Sequence, residues 1–318
     1  MIKIDKKDSL LLASLLSNCR NSGAKTGKET GMSREVVAYR IAQLQKEGII
    51  LGFTADINFN KLGFSAYSIA VKLSNLSKEK EKQIINSIAS NKKIVYLQRN
   101  IGKYDLVGTI LVKSPQELDS ELKKIREEIG NSLKYLEIDA FLGDYDFMPS
   151  FFKKDNKNHK EINFLETEKF KVSKEDTLIL EELVKNSRIT AVELSEKTKL
   201  SVFVIADRIK KLVKDKVILA FRALVDMEKL GYHRYSILLN ISNPKIEVNL
   251  ISFCRNHKLI WDLGKYTGNY NYVVEIYAEN NEQFKGVVEE INDLFGNSIV
   301  DYETLIVLEE LKHEYFFN

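Results

Sequence analysis

The feature that most constrains this chain of 318 residues is that it repeats itself. A shift of 168 residues aligns Asp8 with Asp176, Arg20 with Arg188 and many of the positions that follow. The alignment runs without a gap for roughly sixty residues, and a two-residue deletion in the second copy then changes the shift to 166. The chain therefore consists of two copies of one unit of about 150 residues.

Composition is that of a soluble globular protein, with 44% apolar and 29% charged residues. No apolar run has the length of a membrane span and the N-terminus lacks a signal-peptide core, so we expect a cytoplasmic protein. Cys19 and Cys254 are far apart with no metal-ligand spacing around them, which predicts buried free thiols, no metal site and no cofactor. The net charge of +3 permits a polyanionic partner without requiring one.

Each copy opens with three segments of helical periodicity. Asp5 and Asp8 in copy one, and Ser173 and Asp176 in copy two, form a capping-box pattern before the first helix. The third helix follows Ser33 or its counterpart, and an apolar, partly β-branched strand and wing come next. Helix, tight turn, helix and strand form a winged helix-turn-helix, whose third helix fits the major groove of DNA.

The exposed face of the third helix supplies the candidate DNA contacts. Arg and Gln read base edges through paired hydrogen bonds, and Lys and Arg also neutralise phosphates. The candidates are Ser33, Arg34, Glu35, Tyr39, Arg40, Gln43 and Lys46 in copy one, and Ser201, Arg208, Lys210 and Lys211 in copy two. Copy two also presents Val202, Phe203 and Asp207, which suit a polyanionic groove poorly. Phe203 either packs back on its own domain, contacts a thymine methyl group or contacts another protein.

The second part of each copy has the element order βαββαβ. This order predicts a four-stranded antiparallel sheet with helices on one face, the ferredoxin-like arrangement, and the uncovered face needs a partner sheet. The predicted fold class is α+β, with two tandem units that each join a winged helix-turn-helix to a ferredoxin-like domain. The expected bounds are 1–60 and 171–228 for the winged helix-turn-helix regions, 61–152 and 229–318 for the ferredoxin-like domains, and 153–170 for a solvated linker.

Short motifs in a fixed order resemble the Lrp/AsnC family of transcriptional regulators. They include Gly31-Met32-Ser33, Lys46-Glu47-Gly48-Ile49-Ile50, Lys61-Leu62-Gly63 and a later Gly-x-x-Asp, and they cover nearly the whole chain twice. The resemblance implies ferredoxin-like domains of RAM type, a dimer formed through them, amino-acid effectors bound between them and operators contacted by paired winged helices. Members normally carry one unit per chain, so we expect this chain to form a pseudo-dimer by itself, with assembly into higher homo-oligomers left open.

The turn Gly102-Lys103-Tyr104-Asp105 matches the segment that the resemblance associates with effector binding. A carboxylate there can pair with an α-ammonium group, and turn amides can hold an α-carboxylate. The same residues also form an ordinary hairpin turn, which we favour because copy two has lost the carboxylate. The candidate effector residues are Gly102, Tyr104, Asp105, Gly268 and Asn271.

Two alternatives to a sequence-specific DNA-binding regulator stay open. Siroheme decarboxylases resemble the same two-part fold, and such an enzyme needs basic and His side chains that converge on the carboxylates of a tetrapyrrole. The candidates His233, Arg234, His257 and His313 are scattered and occur only in copy two, so we expect no enzyme and no catalytic residue. The other alternative is an adaptor that does not bind DNA and contacts another regulator through Val202 and Phe203.

Overall fold

The helices and strands follow the predicted order twice, so the fold class inferred from the sequence is confirmed. The computed structural model describes residues 2–74, 76–147, 152, 160–163 and 169–313. Copy one contains α1 (Lys6–Asn18), α2 (Gly23–Thr30), α3 (Arg34–Lys46), β1 (Ile50–Ile57), β2 (Ser65–Leu73), α4 (Lys78–Ser90), β3 (Ile94–Gly102), β4 (Leu106–Val112), α5 (Pro115–Ile129) and β5 (Leu133–Asp146). Among these residues no helix is both long and apolar enough to cross a bilayer.

Copy two repeats these elements after a short strand. That strand is β6 (Lys160–Asn163), which pairs antiparallel with the end of β5 and lies within the segment predicted as a linker. The rest of copy two contains α6 (Lys174–Lys185), α7 (Ala191–Thr198), α8 (Val202–Lys214), β7 (Ile218–Val225), β8 (His233–Ile241), α9 (Glu247–Asn256), β9 (Ile260–Tyr266), β10 (Tyr272–Ala278), α10 (Asn281–Phe295) and β11 (Ile299–His313). Most of the predicted linker lies outside the described residues.

The two helix-turn-helix regions share one hydrophobic core. Strand β1 pairs antiparallel with β7 of the other copy, so the strand after each third helix forms a ribbon between the copies rather than a wing hairpin of its own. Buried apolar residues from both copies, such as Leu15 and Leu183, belong to the same cluster. The Cys19 Sγ and Ser187 Oγ atoms, which are equivalent positions of the repeat, lie 3.0 Å apart in its interior. These contacts place a pseudo-twofold axis between the copies.

The two ferredoxin-like sheets close into one barrel. Each sheet has the strand order expected for βαββαβ, namely β5-β2-β4-β3 in copy one and β11-β8-β10-β9 in copy two. Strand β3 pairs with β11, and β5 pairs with β9, so the sheets join at both edges into eight strands without a free edge. Helices α4 and α5 pack on the outside of copy one, and α9 and α10 do so on copy two. The helix-free faces thus turn towards a common interior.

Candidate nucleic-acid interface

Helix α3 divides sharply into a buried and an exposed face. Its N-cap is Ser33, whose side chain accepts a hydrogen bond from the Val36 amide, so this serine starts the helix. Three apolar residues one helical turn apart, Val37, Ile41 and Leu44, anchor the helix in the shared core. The exposed face carries the predicted contacts Arg34, Glu35, Tyr39 and Lys46, with Tyr39 69% exposed. The helix therefore presents these four side chains to solvent.

Arg40, which the sequence predicted as a phosphate contact, already binds two carboxylates of the protein. Its guanidinium lies 2.9 Å from an Asp5 carboxylate oxygen and 2.7 Å from one of Asp8. Hydrogen bonds to Asp8 and Asp5 raise the pKa of Arg40, so the pair of carboxylates stabilises its charge. Arg40 fastens α3 to the start of α1. Gln43 is also engaged, since its amide donates to Glu47 over 2.7 Å and stays on its own helix.

Helix α8 repeats this arrangement with a different exposed face. Ser201 caps it by accepting from the Val204 amide, and Arg208 pairs with Asp176 over 2.8 Å and donates to Ser173, so Arg208 is also a fastening residue. Lys210 and Lys211 remain exposed, the latter with its ammonium 5.6 Å from the Phe170 ring centre. Phe203 is 84% exposed and does not pack back on its own domain, which leaves a thymine methyl group or another protein as its contact.

The turn predicted for effector binding uses its polar groups internally. Asp105 accepts from the Leu73 amide and pairs with Lys72, each over 2.8 Å. Tyr104 is buried and donates to Glu137 over 2.5 Å. Gly102 ends β3 opposite Leu305. No carboxylate of this turn is therefore left for an α-ammonium group.

The equivalent turn of copy two is bonded in the same way. The Asn271 side chain donates to the Ile241 carbonyl over 2.8 Å and accepts from the Ile241 amide over 2.9 Å. Gly268 packs directly against the Asp139 carboxylate. Both turns act as structural hairpins, and the favoured interpretation of the sequence agrees with their geometry.

Of the four candidate tetrapyrrole ligands, Arg234 and His313 lie close together, whereas His233 and His257 lie apart from them. His257 ends α9 on the outside of the barrel, where burial lowers its pKa, and its Nε2 lies 3.5 Å from Glu290. His233 is exposed at the start of β8. Arg234 and His313 both reach Glu310, at 3.3 Å and 3.0 Å. Arg234 also binds Glu275, so carboxylates of the protein already occupy the two groups nearest the barrel interior.

Comparison with known proteins identifies both helix-turn-helix regions. A family model described as "Winged helix-turn-helix DNA-binding" matches residues 4–50 and 176–218. The HTH-type transcriptional regulator Ptr1 of Methanocaldococcus jannaschii is 32% identical over 115 residues, which are 36% of this chain and 76% of that protein. An uncharacterized HTH-type transcriptional regulator of Pyrococcus furiosus is 27% identical over 146 residues, which are 45% of this chain and 95% of that protein. Each relative is thus similar to less than half of this chain.

Two solved structures of the siroheme decarboxylase NirDL, one of them in complex with an iron-uroporphyrin III analogue, are similar over nearly the whole chain. The crystal structure of the siroheme decarboxylase NirDL has a TM-score of 0.68 and covers 98% of this chain and 93% of its own. Its sequence identity to this chain is 14%, so the likeness concerns the fold.

Proposed function

This chain belongs to the Lrp/AsnC family of HTH-type transcriptional regulators, and from that premise we propose that it reads DNA as a single-chain pseudo-dimer. The family membership supports a transcriptional regulator with helix-turn-helix DNA binding. The proposal adds that one chain supplies both reading helices and that each reads its own sequence. The two copies correspond to the two subunits of a dimer of one-unit chains.

The observation that carries the proposal is the shared core of the two helix-turn-helix regions. The β1–β7 ribbon and the buried cluster beneath it fix α3 and α8 relative to one another. Two readers on one rigid body bind with a high effective concentration for the second once the first has docked. Their exposed N-terminal ends are where base edges are read in helix-turn-helix proteins.

The proposed readers differ between the copies. In copy one, Arg34, Glu35 and Tyr39 face outward to base edges, and Lys46 is available for a phosphate. In copy two, Phe203 replaces Glu35 and suits a thymine methyl group, while Lys210 and Lys211 are exposed on the same helix and are available for phosphates. Arg40 and Arg208 are left out, because their carboxylate partners make them part of the scaffold.

The test is selection from random duplex DNA at about 50 mM and about 200 mM salt, which separates phosphate contacts from base reading. The wild-type chain is compared with Arg34→Glu/Lys46→Glu and with the control Lys78→Glu/Lys82→Glu, whose two lysines are equally exposed on α4 of the barrel. We expect an enriched motif that the first variant loses and the control keeps. The salt slope should fall by about 0.9 for each phosphate contact removed.

Other outcomes would replace the proposal. Selection without enrichment, together with binding of another regulator that Phe203→Ser abolishes, would identify an adaptor. Selection without enrichment, together with an absorbance change on adding iron uroporphyrin, would favour a tetrapyrrole enzyme, for which the whole-chain likeness to NirDL is the supporting observation. Arg40→Glu is unsuitable as a test, because it would leave Asp5 and Asp8 facing a third carboxylate and weaken the packing of α1 on α3.

A further inference from the structure

The barrel contains a cavity of about 520 Å³ beneath the β1–β7 ribbon. Its upper wall includes Leu51 and Leu219 from the helix-turn-helix regions, and its floor includes Leu238, Leu305 and the buried ring of Tyr104. The volume lies within the range of sites for small organic molecules. Nothing in the proposed DNA contacts uses this space, so its lining needs its own explanation.

Carboxylates form a row across one wall of the cavity. Strand register places Asp146 of β5 opposite Asp262 of β9, and Asp262 opposite Glu275 of β10. Asp144 lies two residues before Asp146 and therefore on the same face of β5. The acidic residues that line the cavity are Asp56, Asp139, Asp144, Asp146, Asp262, Glu275 and Glu310, and the basic ones are Arg222, Arg234 and His313. The lining thus carries an excess of negative charge.

The arginines do not neutralise the whole row. Arg222 pairs with Asp56 and Asp146, and Arg234 pairs with Glu275 over 2.8 Å and with Glu310. Each guanidinium is thus held by two carboxylates of its own. Arg222 also lies near Asp144 and Arg234 near Asp262, but each guanidinium lowers the pKa of that carboxyl less than burial raises it.

Both remaining carboxylates lie deep in the molecule and face the cavity. The Asp144 Oδ1 atom has no hydrogen-bond partner in the described part of the chain, and the Asp262 side chain lines the same cavity. Burial and like charges nearby raise the pKa of Asp144 to about 8 and raise that of Asp262 well above its usual range. An unpaired buried carboxylate costs several kcal/mol, a cost that a bound cation removes. A cation bound beside these two side chains would therefore stabilise their charged form.

Aromatic rings surround the acidic wall. The rings of Trp261, Tyr266, Tyr277 and Phe141 line the same cavity. Their faces attract cations, and their area suits an apolar or aromatic body. A metal ion fits this lining poorly, since the described residues hold no cluster of three or more side chains placed to ligate one. Carboxylates of a tetrapyrrole would meet a wall of their own charge.

We propose that this cavity binds an organic cation, whose ammonium or guanidinium group pairs with Asp144 and Asp262. The apolar part of the ligand packs on the aromatic rings and on the leucines of the floor. This inference does not depend on DNA binding, because every residue that it uses belongs to the barrel interior or to the side of the β1–β7 ribbon that faces the cavity.

The experiment is isothermal titration of the full chain with a matched pair of probes. Tryptamine carries an ammonium group on an indole body, and indole-3-propionate carries a carboxylate on the same body. We expect the wild type to bind tryptamine and not indole-3-propionate. Asp144→Asn/Asp262→Asn should weaken tryptamine binding at least about tenfold, which corresponds to about 1.4 kcal/mol. Glu309→Gln is the control, because Glu309 is exposed on β11 outside the cavity lining and should bind as the wild type does.

Thermal unfolding without ligand keeps this test independent of folding. The double variant removes two carboxyls whose ionised form is disfavoured by burial and by the neighbouring carboxylates, so its midpoint should equal or exceed that of the wild type. Three results would overturn the proposal: no tryptamine binding by the wild type, equal binding of the two probes, or equal binding by the stable double variant. Binding of Ca²⁺ that is tighter than that of tryptamine and lost in the double variant would replace the organic cation with a metal.

Discussion

Gly31 and Lys199 occupy the same position of the two copies, at the turn between the second and third helices. Both have left-handed backbone, with φ of 67° and 60°, and both end the second helix by donating to a carbonyl four residues earlier. Glycine adopts this conformation without steric cost, whereas a residue with a Cβ atom is strained by about 1–2 kcal/mol. The two copies therefore have a glycine and a lysine in the same left-handed turn, and the backbone strain of the two residues can be compared there.

Exchange of these residues tests the strain directly. We expect Lys199→Gly to raise the free energy of unfolding by about 1 kcal/mol and Gly31→Lys to lower it by a similar amount. A Cβ at Gly31 would have no atom within 4 Å, so conformation rather than contact decides the result. Urea denaturation of both variants measures it. Changes of the same sign in the two exchanges would show that local packing outweighs the backbone term.

The raised pKa of the Asp144 carboxyl predicts how the stability of the protein depends on pH. The groups around it are Asp146 on its own strand, Arg222 on β7, Asp262 and Tyr266 on β9, and Glu275 on β10. Burial, more than the repulsion by Asp146, raises its folded-state pKa to about 8 from an ordinary value of 3.8. The folded state therefore holds a proton that the unfolded chain releases, and stability is lost as pH rises from about 4 to about 8.

Asp144→Asn removes this titration. We expect the variant and the wild type to differ little below about pH 4, where the Asp144 carboxyl is protonated in both the folded and the unfolded chain. By pH 8 the variant should be more stable by at least about 1.4 kcal/mol, the equivalent of one pKa unit. Denaturation at a series of pH values compares the two chains, and Glu309→Gln should follow the wild type throughout. A constant difference between variant and wild type across this range would mean that Asp144 is ionised in the folded protein at every pH.

At the scale of helices and strands, the sequence predicted elements well and their partners poorly. The capping boxes at Asp5–Asp8 and Ser173–Asp176 and the apolar spacing of α1, α3, α6 and α8 are local signals, and they placed the helices correctly. Pairing of β1 with β7 is a contact between residues far apart in the chain, and a strand flanked by a turn gives no local sign of which partner it takes.

The candidate site shows the same division. Exposure of Arg34 and Tyr39 follows from helical periodicity, and the sequence predicted it. The sequence did not predict the ion pairs of Arg40 and Arg208. A charged residue at the edge of the exposed face of a helix gives the same sequence pattern whether it contacts DNA or a neighbouring helix. The carboxylates of the cavity wall had one sign in the sequence that was overlooked. Asp144 and Asp146 are two residues apart in β5 and therefore lie on the same face of the sheet.

Because the two helix-turn-helix regions share one core, a destabilising substitution in one copy should also destabilise the helices of the other. Leu180 of α6 is fully buried in that core, and Leu180→Ala should cost about 2–5 kcal/mol. We expect hydrogen exchange to speed up in α1 and α3 as well as in α6 and α8, because all four helices pack on one cluster. Ile88→Ala, in the separate core of the copy-one ferredoxin-like domain, is the control and should leave these helices protected. Faster exchange confined to α6 and α8 after Leu180→Ala would show two independent domains.

At the scale of the whole molecule, duplication has been followed by divergence at the charged positions. Arg222 of β7 joins the ribbon to the barrel by pairing with Asp56 of β1 and Asp146 of β5, and its counterpart in copy one is Thr54. The shared scaffold is thus nearly symmetric, but the ion pairs of Arg222 have no equivalent at Thr54, whose hydroxyl instead donates to the Val184 carbonyl. The same asymmetry appears on the outer surface, where the reading helices differ.

The difference between α3 and α8 predicts an asymmetric operator. At equivalent positions, copy one has Arg34, Glu35 and Tyr39, whereas copy two has Val202, Phe203 and Asp207. Distinct side chains in the major groove select distinct bases, so the wild-type footprint should contain two half-sites of different sequence. The triple variant Val202→Arg/Phe203→Glu/Asp207→Tyr gives both helices the same face. Selection with it should return a palindrome built from the copy-one half-site, because the scaffold places the two readers about a pseudo-twofold axis. Equal protection of identical half-sites by the wild type would instead mean that these three positions do not read bases.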